Sequence, residues 1–175
     1  MMDSASLHRQ YRELLLDGIV PFWARHGLDA EHGGVLSCMQ EDGTPISTDK
    51  YTWSQARFVW TLSALYNRFD ARPEYLARAR KTIDFLLTCA RDDRGRFVYR
   101  TTREGRILEG ATSIYADCFA VYGLSEYCRA VRDEELLATA RQIFERVCRR
   151  VDEPDFRETA PYLLPAGRRL HAVPM

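Results

Sequence analysis

Tyr51-Thr52-Trp53-Ser54-Gln55-Ala56-Arg57-Phe58-Val59-Trp60-Thr61-Leu62-Ser63 is followed, 62 residues on, by Ser113-Ile114-Tyr115-Ala116-Asp117-Cys118-Phe119-Ala120-Val121-Tyr122-Gly123-Leu124-Ser125. At that offset Trp53 falls on Tyr115, Trp60 on Tyr122, Leu62 on Leu124 and Ser63 on Ser125. Extended towards the N-terminus, the same offset sets Gly43 on Gly105, Val35 on Phe97, Gly33 on Gly95 and Trp23 on Phe85. Eight coincidences at one spacing mark an internal repeat.

Each unit reads as an amphipathic helix, a short hairpin and a mostly buried helix. In the first unit these are a helix over 4–25 capped by Asp3 or Ser4, a hairpin over 33–47 turning at Glu41-Asp42-Gly43, and a helix over 51–69. In the second, Pro73 opens a helix over 73–91, Glu104-Gly105 turns a hairpin over 95–108, and an aromatic-rich helix covers 111–131. A third unit begins with a helix over 134–150, with 151–167 as its connection and Pro174-Met175 at the start of its inner helix. Outer helices around a ring of inner ones satisfy this alternation, so the expected fold is all-α, an incomplete toroid of outer and inner helix pairs with short β-hairpins between them. Residues 1–175 are read as the N-terminal portion of a single such domain.

The 25 basic and 25 acidic residues cancel, which disfavours nucleic acid and anionic membrane as partners. No apolar run approaches the roughly 18 residues of a membrane span, and Met1 to Ser6 lack the pattern of a signal peptide. Cys38, Cys89, Cys118, Cys128 and Cys148 are odd in number and scattered, which predicts reduced thiols and a cytoplasmic protein. His8, His26, His32 and His171 do not cluster with them, so no metal is expected.

Trp53, Arg57 and Trp60 stand at i, i+4 and i+7, on one helix face. The structural reading is an arginine whose stem packs on aromatic surface. The functional one is a fixed cation in an aromatic cleft, where rings stack on a sugar and the guanidinium polarises a carbonyl oxygen. Tyr115, Phe119 and Tyr122 repeat the stripe, as core or as site, with Asp117 an acceptor that orients a neighbour. Because hairpins precede inner helices, Trp53, Arg57, Tyr115 and His171 should gather at one mouth.

These residues give the chain a resemblance to the N-acylglucosamine 2-epimerase family, which includes cellobiose 2-epimerases and renin-binding protein. It rests on Gly27-Leu28-Asp29 with Glu31-His32-Gly33-Gly34, on Lys50-x-x-Trp53-x-Gln55-x-Arg57-x-x-Trp60, on Tyr115-x-Asp117-x-Phe119-x-x-Tyr122-Gly123 with Glu126-Tyr127, and on His171 to Met175. The resemblance implies an (α/α)6 barrel and cofactor-free epimerisation or aldose-ketose isomerisation of a sugar through an enediolate. It implies Arg57 as the group that holds the carbonyl oxygen, Tyr115 as a substrate contact, and Trp53 and Gln55 as shaping the pocket, with Asp117 beside them. The family's acid and base are histidines of later inner helices, so residues 1–175 alone are expected to be inactive. The alternative is a non-catalytic carbohydrate- or protein-binding fragment of the same fold. A glycosidase would need an Asp/Glu pair across the cleft and is the weakest reading. A sugar is the expected small-molecule partner, with a homodimer left open.

Overall fold

The computed structural model describes residues 3–154 and Phe156. The first helix runs through three segments without a break: α1 (Ser4–Glu13), a π-helical stretch (Leu14–Ile19) and α2 (Val20–His26). The Asp3 carboxylate accepts the Ser6 N–H at 2.7 Å and so caps α1. Its core-facing side chains are Leu15, Leu16 and Val20. A hairpin of β1 (Cys38–Met39) and β2 (Pro45–Ser47) follows, then β3 (Lys50–Tyr51) and α3 (Thr52–Arg68). The second unit holds α4 (Pro73–Cys89), β4 (Arg100–Thr101), β5 (Ile107–Glu109) and α5 (Tyr115–Val131), and α6 (Glu134–Val151) opens the third.

α3 and α5 are neighbours in the inner layer, with α4 and α6 packed outside them. They run parallel: Trp53 and Tyr115 share a cavity near their N-termini, Trp60 stacks on Tyr122 midway, and Asn67 donates to Glu126 at their C-terminal ends. The approach is close enough to require Gly123, where an added Cβ would lie 2.5 Å from the Ala56 carbonyl oxygen. The outer helices meet this layer through stripes at helical spacing: Tyr75, Ala79, Ile83 and Leu86 on α4, and Leu136, Ala140, Ile143 and Val147 on α6. Burial of each aliphatic of this kind contributes about 1.5–3 kcal/mol. Asp133 starts α6 by accepting the Leu136 N–H at 2.9 Å.

The repeat reaches the hydrogen bonds. Gly43 N–H donates to Gln40 and Gln40 N–H to Thr44, as Gly105 N–H donates to Thr102 and Thr102 N–H to Arg106. Cys38 pairs with Ser47 and Met39 with Pro45, as Arg100 pairs with Glu109 and Thr101 with Ile107. On the outer side the register differs from the sequence expectation. The helix-ending bonds Gly27 N–H to Trp23 and Ala90 N–H to Leu86, and the return bonds Leu36 N–H to Gly27 and Val98 N–H to Ala90, align Trp23 with Leu86 rather than Phe85. Asp29 and Gly33 are separated by three residues where Asp92 and Gly95 are separated by two, and this extra residue restores the 62-residue register from Gly33 onward.

Two further boundaries depart from the pattern. Residues 33–37, expected as strand, form a loop with an isolated Leu28–Val35 bridge, and the hairpin ladder begins only at Cys38. α5 begins at Tyr115 rather than 111, and just ahead of it Ser113 Oγ accepts the Tyr115 N–H at 3.0 Å in a local side-chain turn. The connection 155–167 and the residues from His171 to Met175 lie outside the described set, apart from Phe156, which packs with Ile114 and Val147.

Candidate functional site

The register of two parallel inner helices brings two repeat-equivalent pairs face to face. Trp60 and Tyr122 stack with centroids 4.9 Å apart and planes 10° off parallel. One helical turn nearer the hairpins, Arg57 faces Phe119, its own counterpart at the 62-residue offset, with the guanidinium carbon 6.0 Å from that ring centroid and 5.5 Å from Trp53. The sequence face had put Arg57 between Trp53 and Trp60. The neighbouring helix supplies the second ring instead, and Trp60 carries Arg68 at 5.3 Å.

Trp53, Arg57, Tyr99, Thr112, Tyr115 and Phe119 are among the residues lining a cavity of about 340 Å³ at the hairpin end of the inner helices. Its walls are aromatic, and among the described residues Arg57 is its one charged lining residue. Among the described residues no carboxylate pairs with the exposed Arg57 guanidinium, whereas Arg68, Arg96, Arg100, Arg103, Arg129 and Arg146 all have acidic partners. A cation between two rings, free of counter-charge and open to a cavity, can donate to an oxygen placed there. Tyr115 and Trp53 thus stand where the sequence put them, at one mouth with Arg57, and Tyr99 joins them from the β4 side. Tyr99 lies in no repeated motif, so nothing in the sequence singled it out.

Gln55 and Asp117 occupy equivalent positions and face away from that cavity. Gln55 is fully buried; its Oε1 accepts the Val35 N–H at 2.7 Å and its Nε2 donates to the Val35 carbonyl at 2.6 Å. Gly34 makes room for this clasp: at φ +74 it takes the left-handed conformation, and an added Cβ would stand 2.6 Å from Gln55 Oε1. Asp117 Oδ1 accepts the Phe97 N–H at 3.3 Å and the Arg146 Nη2 at 2.7 Å, which ties the second loop and α6 to α5. Burial holds the Asp117 carboxyl above the usual range against the lowering effects of Arg146 and the Phe97 N–H. Neither Gln55 nor Asp117 lines the cavity.

A buried ion cluster joins the loop before β1 to the turn of the second hairpin. The Lys50 ammonium donates to Asp29 Oδ2 at 2.9 Å, to the Gly33 carbonyl at 2.6 Å and to the Arg103 carbonyl at 2.7 Å, and stands 4.2 Å from the Phe85 ring centroid. Arg103 grips the same carboxylate through Nε and Nη2, both at 2.9 Å. Burial raises the Asp29 carboxyl, but bonds from Arg103, Lys50 and the His32 N–H outweigh it and hold it far below the usual range. The three described histidines lie off the inner helices: His8 on α1, His26 at the end of α2 and His32 in the following loop. Among the described residues no group of His, Cys, Asp and Glu is placed to hold a metal, and no helix is long and apolar enough to cross a membrane.

Comparison with known proteins bears on this geometry. The profile of the family described as N-acylglucosamine 2-epimerase (GlcNAc 2-epimerase) matches residues 33–171. The N-acylglucosamine 2-epimerase of Bos taurus is 32% identical over 166 residues, 91% of this chain and 39% of the relative. The cellobiose 2-epimerase of Bacteroides fragilis is 34% identical over 144 residues, 81% of this chain and 36% of the relative. A solved sugar epimerase from a ruminal bacterium superposes with a TM-score of 0.77 at 28% identity, covering 91% of this chain and 42% of its own. The cellobiose 2-epimerase of Spirochaeta thermophila superposes with a TM-score of 0.78 at 26% identity, covering 92% and 41%. The fold is accordingly part of an (α/α)6 toroid, and the chain spans well under half the length of these relatives.

Proposed function

The chain belongs to the N-acylglucosamine 2-epimerase family, and from that membership we propose that residues 1–175 form one wall of the pocket of a sugar 2-epimerase or aldose-ketose isomerase. The observation that carries the reading is the Arg57 guanidinium, which lacks a carboxylate partner among the described residues and lies between Trp53 and Phe119 at the cavity. In the proposed reaction a base takes the C2 proton of the open-chain sugar. The C–H electron pair forms the C1–C2 double bond, and the carbonyl π pair moves to O1 as an enediolate. Arg57 donates to O1, where preorganised positive charge stabilises the developing oxyanion. Proton return to the opposite face of C2 gives the epimer; return to C1, with the O2 proton transferred to O1, gives the ketose. Trp53 and Tyr115 stack against the sugar, while Gln55 and Asp117 hold the loops that frame it.

The proton carriers are assigned to the rest of the ring. Such a carrier needs a pKa near the working pH, which favours histidine, and none of the three described histidines lies on an inner helix. A sugar is the proposed ligand. Five cysteines, odd in number and scattered along the chain, support a reducing compartment such as the cytoplasm.

Deuterium entry at C2 in deuterated water tests the reading, with N-acetylglucosamine, N-acetylmannosamine, mannose, glucose and cellobiose as substrates. Residues 1–175 alone are expected to give none, and a chain continued through the remaining helix pairs to exchange with at least one of them. In that longer chain Arg57→Met is expected to slow exchange by about 10²–10³, the usual cost of one oxyanion donor. Exchange at an unchanged rate in Arg57→Met would return Arg57 to a packing role.

A further inference from the structure

The Lys50–Asp29–Arg103 cluster contains the most deeply buried cation among the described residues, and the reaction proposed above does not use it. Lys50 is 1% exposed, has all three ammonium protons satisfied, and precedes Trp53 by three residues and Arg57 by seven. We propose that Lys50 is a positioning residue that sets Trp53 and Arg57 of the first unit against the aromatic wall of the second. This rests on reading that wall as sugar-facing.

Its acceptors come from both units. Asp29 and Gly33 belong to the first loop, and the Arg103 carbonyl to the turn of the second hairpin. β3, which Lys50 begins, pairs across the units as Lys50 with Thr101 and Tyr51 with Arg100. Thr52 continues the seam: its N–H donates to the Tyr99 carbonyl at 3.2 Å and its hydroxyl to the Val98 carbonyl at 2.5 Å. Residues 50–52 are therefore sewn to 98–103 immediately before the helix that carries Trp53 and Arg57, and Tyr99 itself lines the cavity. Backbone pairing fixes distance along the seam. The ammonium adds a three-way fixed point, because an apolar group in its place would leave the Asp29 carboxylate and two carbonyls short of a donor.

The second unit lacks this device. At the offset, Lys50 corresponds to Thr112, whose buried hydroxyl has no partner among the described residues. Of the two described inner helices, the clasp thus belongs to the one that presents a charged group to the cavity, which is the pattern expected of a device for aim rather than for general folding.

The test uses the 15N-labelled 175-residue chain, in which Trp23, Trp53 and Trp60 give separate indole N–H signals. Lys50→Met is compared with Leu136→Ala, a core truncation on α6 that lowers stability at a distance. Positioning predicts that Lys50→Met shifts and broadens the Trp53 indole and Arg57 Nε–H signals while Trp23 and Trp60 stay in place, and that Leu136→Ala leaves all of these unmoved. Should Lys50→Met fail to fold, Lys50→Met with Asp29→Asn removes the ammonium without stranding the carboxylate and is held to the same outcome. An unmoved Trp53 signal in a folded variant overturns the proposal, as does failure of both variants to fold. Titration with N-acetylmannosamine is the second arm, with binding expected to weaken about 10- to 100-fold in the variant. If the unsubstituted chain takes up no sugar, the sugar-facing reading fails, and the indole signals alone decide whether Lys50 positions Trp53.

Discussion

The two units share a backbone to the level of single hydrogen bonds and differ in what they do with it. In each, an inner-helix side chain holds the N–H of the loop residue 20 positions earlier: Gln55 holds Val35, and Asp117 holds Phe97. The first lock is neutral and closed, with both amide groups used on one residue. The second is charged and open, since Asp117 also accepts Arg146 from α6. Two residues along, Phe119 of the second unit completes the aromatic stripe where the first unit carries Arg57. Repetition builds the wall, and the departure from repetition supplies its chemistry.

The largest expected effect separates the two locks. Gln55→Leu leaves both the N–H and the carbonyl of buried Val35 unpaired, and at about 1–3 kcal/mol for each group the loss should be about 2–6 kcal/mol. Asp117→Leu strands only the Phe97 N–H, because the Arg146 side chain is 31% exposed and can turn to water; about 1–3 kcal/mol is expected. Urea unfolding of both variants measures the difference. Equal losses, or a larger one at Asp117, would show that the charged lock and not the neutral one carries the loop.

A smaller effect tests the exchange of Phe for Arg. Arg57→Phe makes the first unit match the second at that turn, and since the guanidinium is exposed and lacks an acidic partner among the described residues, stability should move by no more than about 0.5 kcal/mol. The sugar-dependent readouts should disappear in the same variant. A loss of several kcal/mol would mean that the cation between Trp53 and Phe119 holds the inner helices together.

The features legible in sequence were those that repeat or that act locally. The 62-residue offset, the aromatic stripes, Pro73 at the start of α4 and Gly27 after α2 each follow from periodicity or from one residue's backbone preference. The placing of Trp53, Arg57 and Tyr115 at one mouth followed from hairpins preceding inner helices. What pairs with Arg57 did not, because Phe119 reaches it only through the close α3–α5 contact that Gly123 permits. The Gln55 and Asp117 locks were hidden for a related reason. A polar residue on an aromatic helix reads as pocket-facing unless its partner, 20 positions back in an irregular loop, is known. Lys50 is the extreme case, with acceptors 17, 21 and 53 residues away.

The subtlest contrast between the units lies in their response to acid, where two buried carboxylates pull in opposite directions. Asp29 has a folded pKa held below its unfolded value of about 3.9, so its contribution to stability is complete above that pH and drains away as pH falls towards the folded pKa. Asp117 has a folded pKa raised by burial. Its protonated form is the one the fold prefers, so its contribution is greatest below about pH 3.9 and is lost as pH climbs through the folded value. Acidifying the protein therefore weakens the clasp of the first unit while relieving the lock of the second, and the measured slope is the difference. Asp29→Asn should flatten the fall of unfolding free energy between about pH 5 and pH 3. Asp117→Asn, which removes the opposing contribution, should steepen it. Unfolding followed by tryptophan fluorescence at several pH values in that window distinguishes the two, and slopes that change in the same direction would show that the Arg146 guanidinium outweighs burial at Asp117.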